Sequence, residues 1–113
     1  MLSREKRLVK NRDFERVYQR GKRVGAEAFN LNFAANRLDL SRVGVVVGKK
    51  FSKKAVERNK AKRIFREAVK DIYGNIVPGY DVVLFVKKTN TPMKLETAKA
   101  ELKKALVKGG LSK

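Results

Sequence analysis

Arg58-Asn59-Lys60-Ala61-Lys62-Arg63-Ile64-Phe65-Arg66 sets five cationic side chains and an asparagine into nine residues, yet keeps an apolar rhythm. At 100° per residue, Ala61, Ile64, Phe65, Ala68 and Ile72 fall within about 100° of arc. That stripe can bury against a sheet. Asn59, Lys60, Arg63, Arg66 and Lys70 fall on the opposite side. Arg58 and Lys62 lie at the boundary, where their aliphatic stems can cover apolar surface while the charged heads stay wet. The pattern predicts a long helix over Lys53–Tyr73, with Gly74 as its stop. Between Lys49 and Lys70 there are ten Lys/Arg and two Glu, a local excess of eight positive charges. Like charges three and four apart destabilise a helix by a few tenths of a kcal/mol per pair. A helix shaped by stability alone would intersperse acids, so this one is expected to grip a polyanion.

Strands flank the helix. Val43-Gly44-Val45-Val46-Val47-Gly48 is a β-branched run bounded by glycine. Tyr80-Asp81-Val82-Val83-Leu84-Phe85-Val86 follows the Pro78-Gly79 turn and is apolar enough to be central. Upstream, Phe29-Asn30-Leu31-Asn32-Phe33 alternates strictly. Period two sets Phe29, Leu31 and Phe33 toward a core and Asn30 and Asn32 toward solvent or a cleft. Asn36–Ser41 reads as a turn. Asn11 is the expected N-cap of a first short helix, with Asp13 in its first turn, Phe14, Val17 and Tyr18 on one side and Gly21 at its end. Residues 1–10 read as a basic, partly flexible leader. Thr91-Pro92 precedes a last helix, about Lys94–Lys108, ended by Gly109-Gly110. The expected order is α-β-β-α-β-α. The fold class is α+β, a two-layer α/β sandwich with helices packed on one small sheet.

Composition narrows the chemistry. A chain of 113 residues makes a single domain over 1–113. Its 42% hydrophobic content permits a core, while 29 Lys+Arg against 11 Asp+Glu leave a net charge of +18. Nucleic acid, RNA above all, is the natural neutralising partner. There is no Cys and no His, which removes thiolate metal sites, the commonest general base and the commonest transition-metal ligand. No apolar run is long enough to span a bilayer, and the N-terminus has no secretory h-region. These features describe a cytoplasmic RNA-binding protein with no catalytic residue and no metal site of its own. A structural RNA-binding protein, such as a ribosomal protein, fits the same composition, and so does a DNA-binding module.

The motifs taken together resemble one family. Arg58-Asn59-Lys60-x-Lys62-Arg63-x-x-Arg66 resembles the signature of the bacterial ribonuclease P protein subunit. Asn11-x-Asp13-Phe14-x-x-Val17-Tyr18-x-x-Gly21 is similar to that family's first helix. Arg42-Val43-Gly44-Val45-Val46-Val47-x-Lys49-Lys50 and Gly79-Tyr80-Asp81-Val82-Val83 are similar to two of its strands. The likeness runs from about Leu8 to Leu106. Lys60 departs from the family's usual Arg, keeping the charge but losing the bidentate fork. The segment between Lys50 and Arg58 is one residue longer than usual, around Ser52-Lys53.

The resemblance implies a fold similar to the second domain of ribosomal protein S5, with a left-handed β-α-β crossover. It implies that Arg58, Asn59, Lys60, Lys62, Arg63 and Arg66 bind the catalytic RNA subunit, one protein per RNA. Phe14, Tyr18, Asn30 and Asn32 would line a cleft for the single-stranded 5′ leader of precursor tRNA, with Lys49 and Lys50 near its phosphates. The reaction implied is magnesium-dependent endonucleolytic removal of that leader, with Mg2+ held mainly by the RNA.

Overall fold

Alternation in the strands and the 3.6-residue stripe in the helices meet on one sheet face. In the computed structural model, which describes residues 2–90 and 93–113, the elements run α1 (Asn11–Arg20), β1 (Lys22–Gly25), β2 (Phe29–Ala35), β3 (Arg42–Val46), α2 (Ala55–Ile72), β4 (Tyr80–Val86) and α3 (Leu95–Gly109). The sheet order is β1-β2-β4-β3. β1–β2 and β2–β4 are antiparallel. β3 pairs β4 in parallel, with α2 as the connection. The order is therefore α-β-β-β-α-β-α, one strand more than expected. The added strand is Lys22-Arg23-Val24-Gly25, whose short, charged text carries no alternating apolar signal. It joins the sheet through its register with Asn30–Phe33. Thr91-Pro92 lies outside the described residues.

The main two layers are the sheet and the α2–α3 pair. Phe29, Leu31, Phe33, Val43, Val82, Leu84 and Val86 share a core with Phe65, Ala68, Val69 and Ile72 of α2 and Ala98, Leu102, Ala105 and Leu106 of α3. Phe29 and Phe65 meet edge to face, with centroids 5.8 Å apart. Each fully buried aromatic of this kind contributes about 1.5–3 kcal/mol. Leu111 closes the bottom of the core and is pinned by its N–H to the Leu106 carbonyl at 2.8 Å.

The opposite face is covered only in part. α1 crosses it, placing Val17 on Val83 in a small second cluster with Leu8, Phe14, Ala34 and Val46. The helix begins one residue earlier than the sequence suggests: Lys10, not Asn11, is the capping residue, and it supplies no side-chain bond. Asn11 is instead the first helical residue. The helix ends at Gly21, whose N–H reaches the Val17 carbonyl at 2.9 Å. A Cβ there would lie 2.6 Å from the Phe33 carbonyl oxygen, so only glycine lets α1 end flush against β2. Gly44 plays the matching part under the other end of α1. A Cβ at Gly44 would meet the Phe14 ring at 2.7 Å. α1 thus runs from β3, over β4, to β2.

The N-terminal segment is placed along the β3 edge. Leu8 is buried, its N–H donates to the Val43 carbonyl at 3.0 Å, and Arg7 bridges Val43 in parallel.

Candidate nucleic-acid interface

α2 separates its residues as its periodicity predicts. Phe65, Ala68, Val69 and Ile72 are buried. Asn59, Lys60, Arg63, Arg66 and Lys70 are exposed, while Arg58, Ala61, Lys62 and Ile64 are half-buried. Among the described residues no carboxylate lies within ion-pair distance of Lys60, Lys62, Arg63 or Arg66. Their charge is therefore available to an external anion.

Arg58 is spent differently. Its Nη1 donates to the Ser52 carbonyl at 2.8 Å, folding the entry loop back onto the first turn. Ser52 Oγ donates to Glu57 Oε1 at 2.7 Å and accepts from the Lys54 N–H at 3.1 Å. Ser52 and Lys53 lie in this loop, and the regular helix starts at Ala55 rather than Lys53.

A second surface lies on the partly covered sheet face. Asn30, Asn32, Val83, Phe85 and Val46 share that face by strand parity, with Phe85 in register with both Asn30 and Val46. Tyr18 overlooks it and is 44% exposed, enough to offer an aromatic ring to a ligand. Burial pushes the Tyr18 phenol above its ordinary range, and the nearby Arg23 guanidinium partly opposes this. Phe14 is half-buried, its ring seated in the notch at Gly44. Asn30 is half-buried. Asn32, by contrast, is only 4% exposed, and Arg23 on the neighbouring strand donates its Nε to Asn32 Oδ1 at 3.1 Å. Its amide is thus held in place rather than solvated.

Lys49 and Lys50 are exposed in the turn after β3. That turn is at the same end of the sheet as Asn30 and Phe85, since β3 and β4 are parallel and β2 begins there. Arg23 and Phe85 belong to this surface and are not singled out by the sequence reading. Phe85 could have been found from its parity with Asp81 and Val83 in β4. Arg23 could not, because β1 itself was not visible.

The two surfaces are continuous. A cavity of about 290 Å³ beside β3 is lined by Leu8, Phe14 and Gly44 on one side and by Arg66 on the other. The β3–α2 turn joins them at the far end.

On the other flank of α1 lies a cluster of four charges. Asp81, fully buried, accepts from Arg42 Nε at 2.8 Å and Nη2 at 2.7 Å, from Asn36 Nδ2 at 3.0 Å, and from Arg16 Nη2. Asp13 lies 3.5 Å from Arg42 and 3.8 Å from Arg16. The hydrogen bond to Asp81 raises the Arg42 pKa against the cost of its burial, with further support from the charges of Asp81 and Asp13. The two carboxylates are thereby neutralised by two guanidiniums. Among the described residues no three His, Cys, Asp or Glu side chains are grouped to hold a metal ion. No helix among them is long and apolar enough to cross a membrane.

Comparison with known proteins gives one answer. The family model for ribonuclease P matches residues 2–109. The ribonuclease P protein component of Thermotoga maritima is 42% identical over 86 residues, covering 76% of this chain and 73% of that protein. That of a Picosynechococcus species is 33% identical over 106 residues, covering 94% and 91%. Among solved structures, the Staphylococcus aureus RNase P protein superposes with a TM-score of 0.82 at 29% identity, covering 96% of this chain and 98% of that one. The Thermotoga maritima RNase P protein superposes at 0.80 with 35% identity, covering 90% and 96%. With its cationic α2, its partly open sheet face and these relatives, the chain belongs to the family of ribonuclease P protein components.

Proposed function

We propose that this chain binds the catalytic RNA of ribonuclease P through α2 and the 5′ leader of precursor tRNA through the face beneath α1. The observation that carries the reading is the division of α2: one side builds the core and the other presents Lys60, Lys62, Arg63 and Arg66, which no carboxylate among the described residues pairs. Arg63, Arg66, Lys60 and Lys62 neutralise phosphates of the RNA subunit, and counterion release supplies much of the affinity. Asn59 adds a neutral donor and acceptor between them. Lys60, a point charge, contributes attraction without the planar fork of arginine.

On the second face, Tyr18 offers a stacking platform to an unpaired base, Asn30 offers hydrogen bonds, and Lys49 and Lys50 meet the leader backbone. Phe14 and Asn32 support this surface, Phe14 from its notch and Asn32 through Arg23. Magnesium ions bound by the RNA supply the Lewis-acid and nucleophile-activating chemistry of phosphodiester hydrolysis. The protein aids them by lowering the repulsion between substrate and RNA. The holoenzyme so described acts in the cytoplasm, with one protein per RNA.

Family membership favours this reading over a ribosomal protein or a DNA-binding module. The test is reconstitution. Added to a bacterial ribonuclease P RNA at low magnesium, the chain restores cleavage of a precursor tRNA at the mature 5′ end. Absence of any stimulation, together with tight binding to ribosomal RNA, refutes the proposal. Cleavage by the purified protein without RNA refutes the accessory role.

A further inference from the structure

We infer that the partly buried ionic cluster on one flank of α1 is a positioning device for the leader-binding face, with Arg16 as the link that sets the roll of the helix. The inference rests on the reading of that face as the leader site. It concerns residues that lie on the side of α1 away from that site.

The wheel of α1 shows the division. With Val17 directed at the sheet, Asp13, Arg16 and Arg20 fall on one flank, and Phe14 and Tyr18 fall on the other. The ionic flank faces the end of the sheet where β3 and β4 begin. There Arg42 and Asp81 sit side by side in the parallel register. The aromatic flank faces the opposite end, toward Asn30, Val46 and Phe85.

Asp81 does not require Arg16 for neutrality. Arg42 already gives it a bidentate, charge-assisted pair, and Asn36 fills a further acceptor position. Arg16 arrives as a second cation from a different element, and Asp13 then balances the pair. An ionic group centred on a buried carboxylate is often no more stabilising than well-packed apolar side chains of similar volume. Its distinctive property is direction: forked guanidinium bonds fix orientation, where apolar contacts allow sliding. Arg16 holds Asp13 on its own helix and Asp81 in the sheet, and its Nε is enclosed without an acceptor. Among the described residues its polar hold on the sheet is the Asp81 bond.

The rest of α1 is lightly held. Its one fully buried apolar side chain is Val17. With a helix radius of roughly 5–6 Å including side chains, a roll of about 20° moves a side-chain tip by about 2 Å. A displacement of that size takes the Tyr18 ring out of stacking range of a base resting on the sheet. The network thus fixes the distance between the aromatic flank and the Asn30–Phe85 floor without touching the leader.

The test compares Arg16→Met and Arg16→Lys with the parent in the reconstituted holoenzyme. Arg16→Met leaves Asp81 with Arg42 and Asn36, so no carboxylate is orphaned. The readout is affinity for precursor tRNA with a leader relative to mature tRNA, over a series of salt concentrations. Affinity for the RNA subunit and hydrogen exchange of the α1 amides are measured alongside. Arg16→Met should lower the leader-dependent gain about five- to tenfold, the equivalent of one lost stacking contact. The salt slope and the RNA-subunit affinity should stay at the parent values, while α1 exchange accelerates. Arg16→Lys should restore the gain only in part, because it keeps the charge and loses the planar guanidinium that sets Nη1 toward Asp13 and Nη2 on Asp81. An unchanged gain in Arg16→Met overturns the inference. So does a salt slope reduced by about 0.7 with full restoration by Arg16→Lys, which makes Arg16 a phosphate contact. A variant unfolded at the assay temperature also overturns it, by making Arg16 a stability residue. A parent with no leader-dependent gain overturns the leader reading itself, and is recognised before any substitution is made.

Discussion

Gly44→Ala adds one methyl group at the most crowded point under α1. The new Cβ would lie 2.7 Å from Phe14 Cζ, 2.8 Å from Cε1 and 3.3 Å from the Leu8 Cβ. Carbon atoms in ordinary contact sit about 3.5–4.0 Å apart, so the ring must retreat by roughly 1 Å. It cannot retreat freely, because Phe14 is one turn from Val17, which is itself locked on Val83. Overpacking of this kind costs about 1–3 kcal/mol. For a domain of this size each kcal/mol lowers the unfolding midpoint by about 4 °C, so the expected fall is about 4–12 °C. Thermal unfolding followed by far-UV circular dichroism measures it. The decisive comparison is Gly44→Ala in a Phe14→Ala background, where the methyl group meets no ring. There the penalty should shrink by at least about 1 kcal/mol, a coupling within the range for residues in contact. If Gly44→Ala unfolds within about 0.5 kcal/mol of the parent, or costs the same in both backgrounds, Phe14 is not seated in the Gly44 notch.

Arg63→Ala should weaken binding to the RNA subunit and flatten its log–log salt dependence by about 0.7–0.9 for one lost phosphate contact; filter binding across a salt series measures the slope, and an unchanged slope leaves Arg63 in solvent. Tyr18→Ala should lose about 1–3 kcal/mol of leader affinity with little loss of stability, given the exposure of its ring; a fall in the unfolding midpoint without selective loss of leader binding makes Tyr18 a packing residue instead. Lys99 Nζ lies 2.7 Å from Asp71 Oδ2 and joins α3 to α2. This contact holds the Asp71 carboxyl below its usual range, so its contribution is present above the ordinary aspartate value of about 3.9 and is lost as pH falls through the lowered folded value. Acid unfolding of Asp71→Asn should accordingly show a shallower loss of stability below about pH 4 than the parent; coincident curves refute the pairing.

The faces of α2 were legible because helical period is a local property, written in the spacing of Ala61, Phe65, Ala68 and Ile72. The strand at Tyr80–Val86 was legible for the same reason, since five of its seven residues, Tyr80, Val82, Val83, Phe85 and Val86, have high β-propensity. The site was legible only where it repeats that periodicity. Asn32 shares its strand face with Asn30, as alternation requires, but alternation cannot say what covers a face. Asn32 is bonded by Arg23, from a strand whose existence depends on pairing rather than on its own text. The Asp81 cluster was hidden for a related reason. Its members come from positions 13, 16, 36, 42 and 81, and no window along the chain contains more than a few of them. Asp13 was readable as a favourable charge near a helix N-terminus, yet its partners lie on β3 and within its own helix.

The Arg16–Asp81 bond spans 65 residues of sequence and has a consequence for how the protein is made. α1 is synthesised before all four strands of the sheet, yet part of its seat, Val83 and Asp81, lies in β4, which follows the other three. β3 likewise waits for β4, its hydrogen-bonded neighbour in the sheet, across the whole of α2. Contacts of such separation form late and slowly. Until β4 emerges, the nascent chain carries the cations of α2 on a helix with an uncovered apolar side. Any RNA that meets it then meets charge without shape. Under the proposed function, the shaped RNA-binding surface is complete only once β4 is in place.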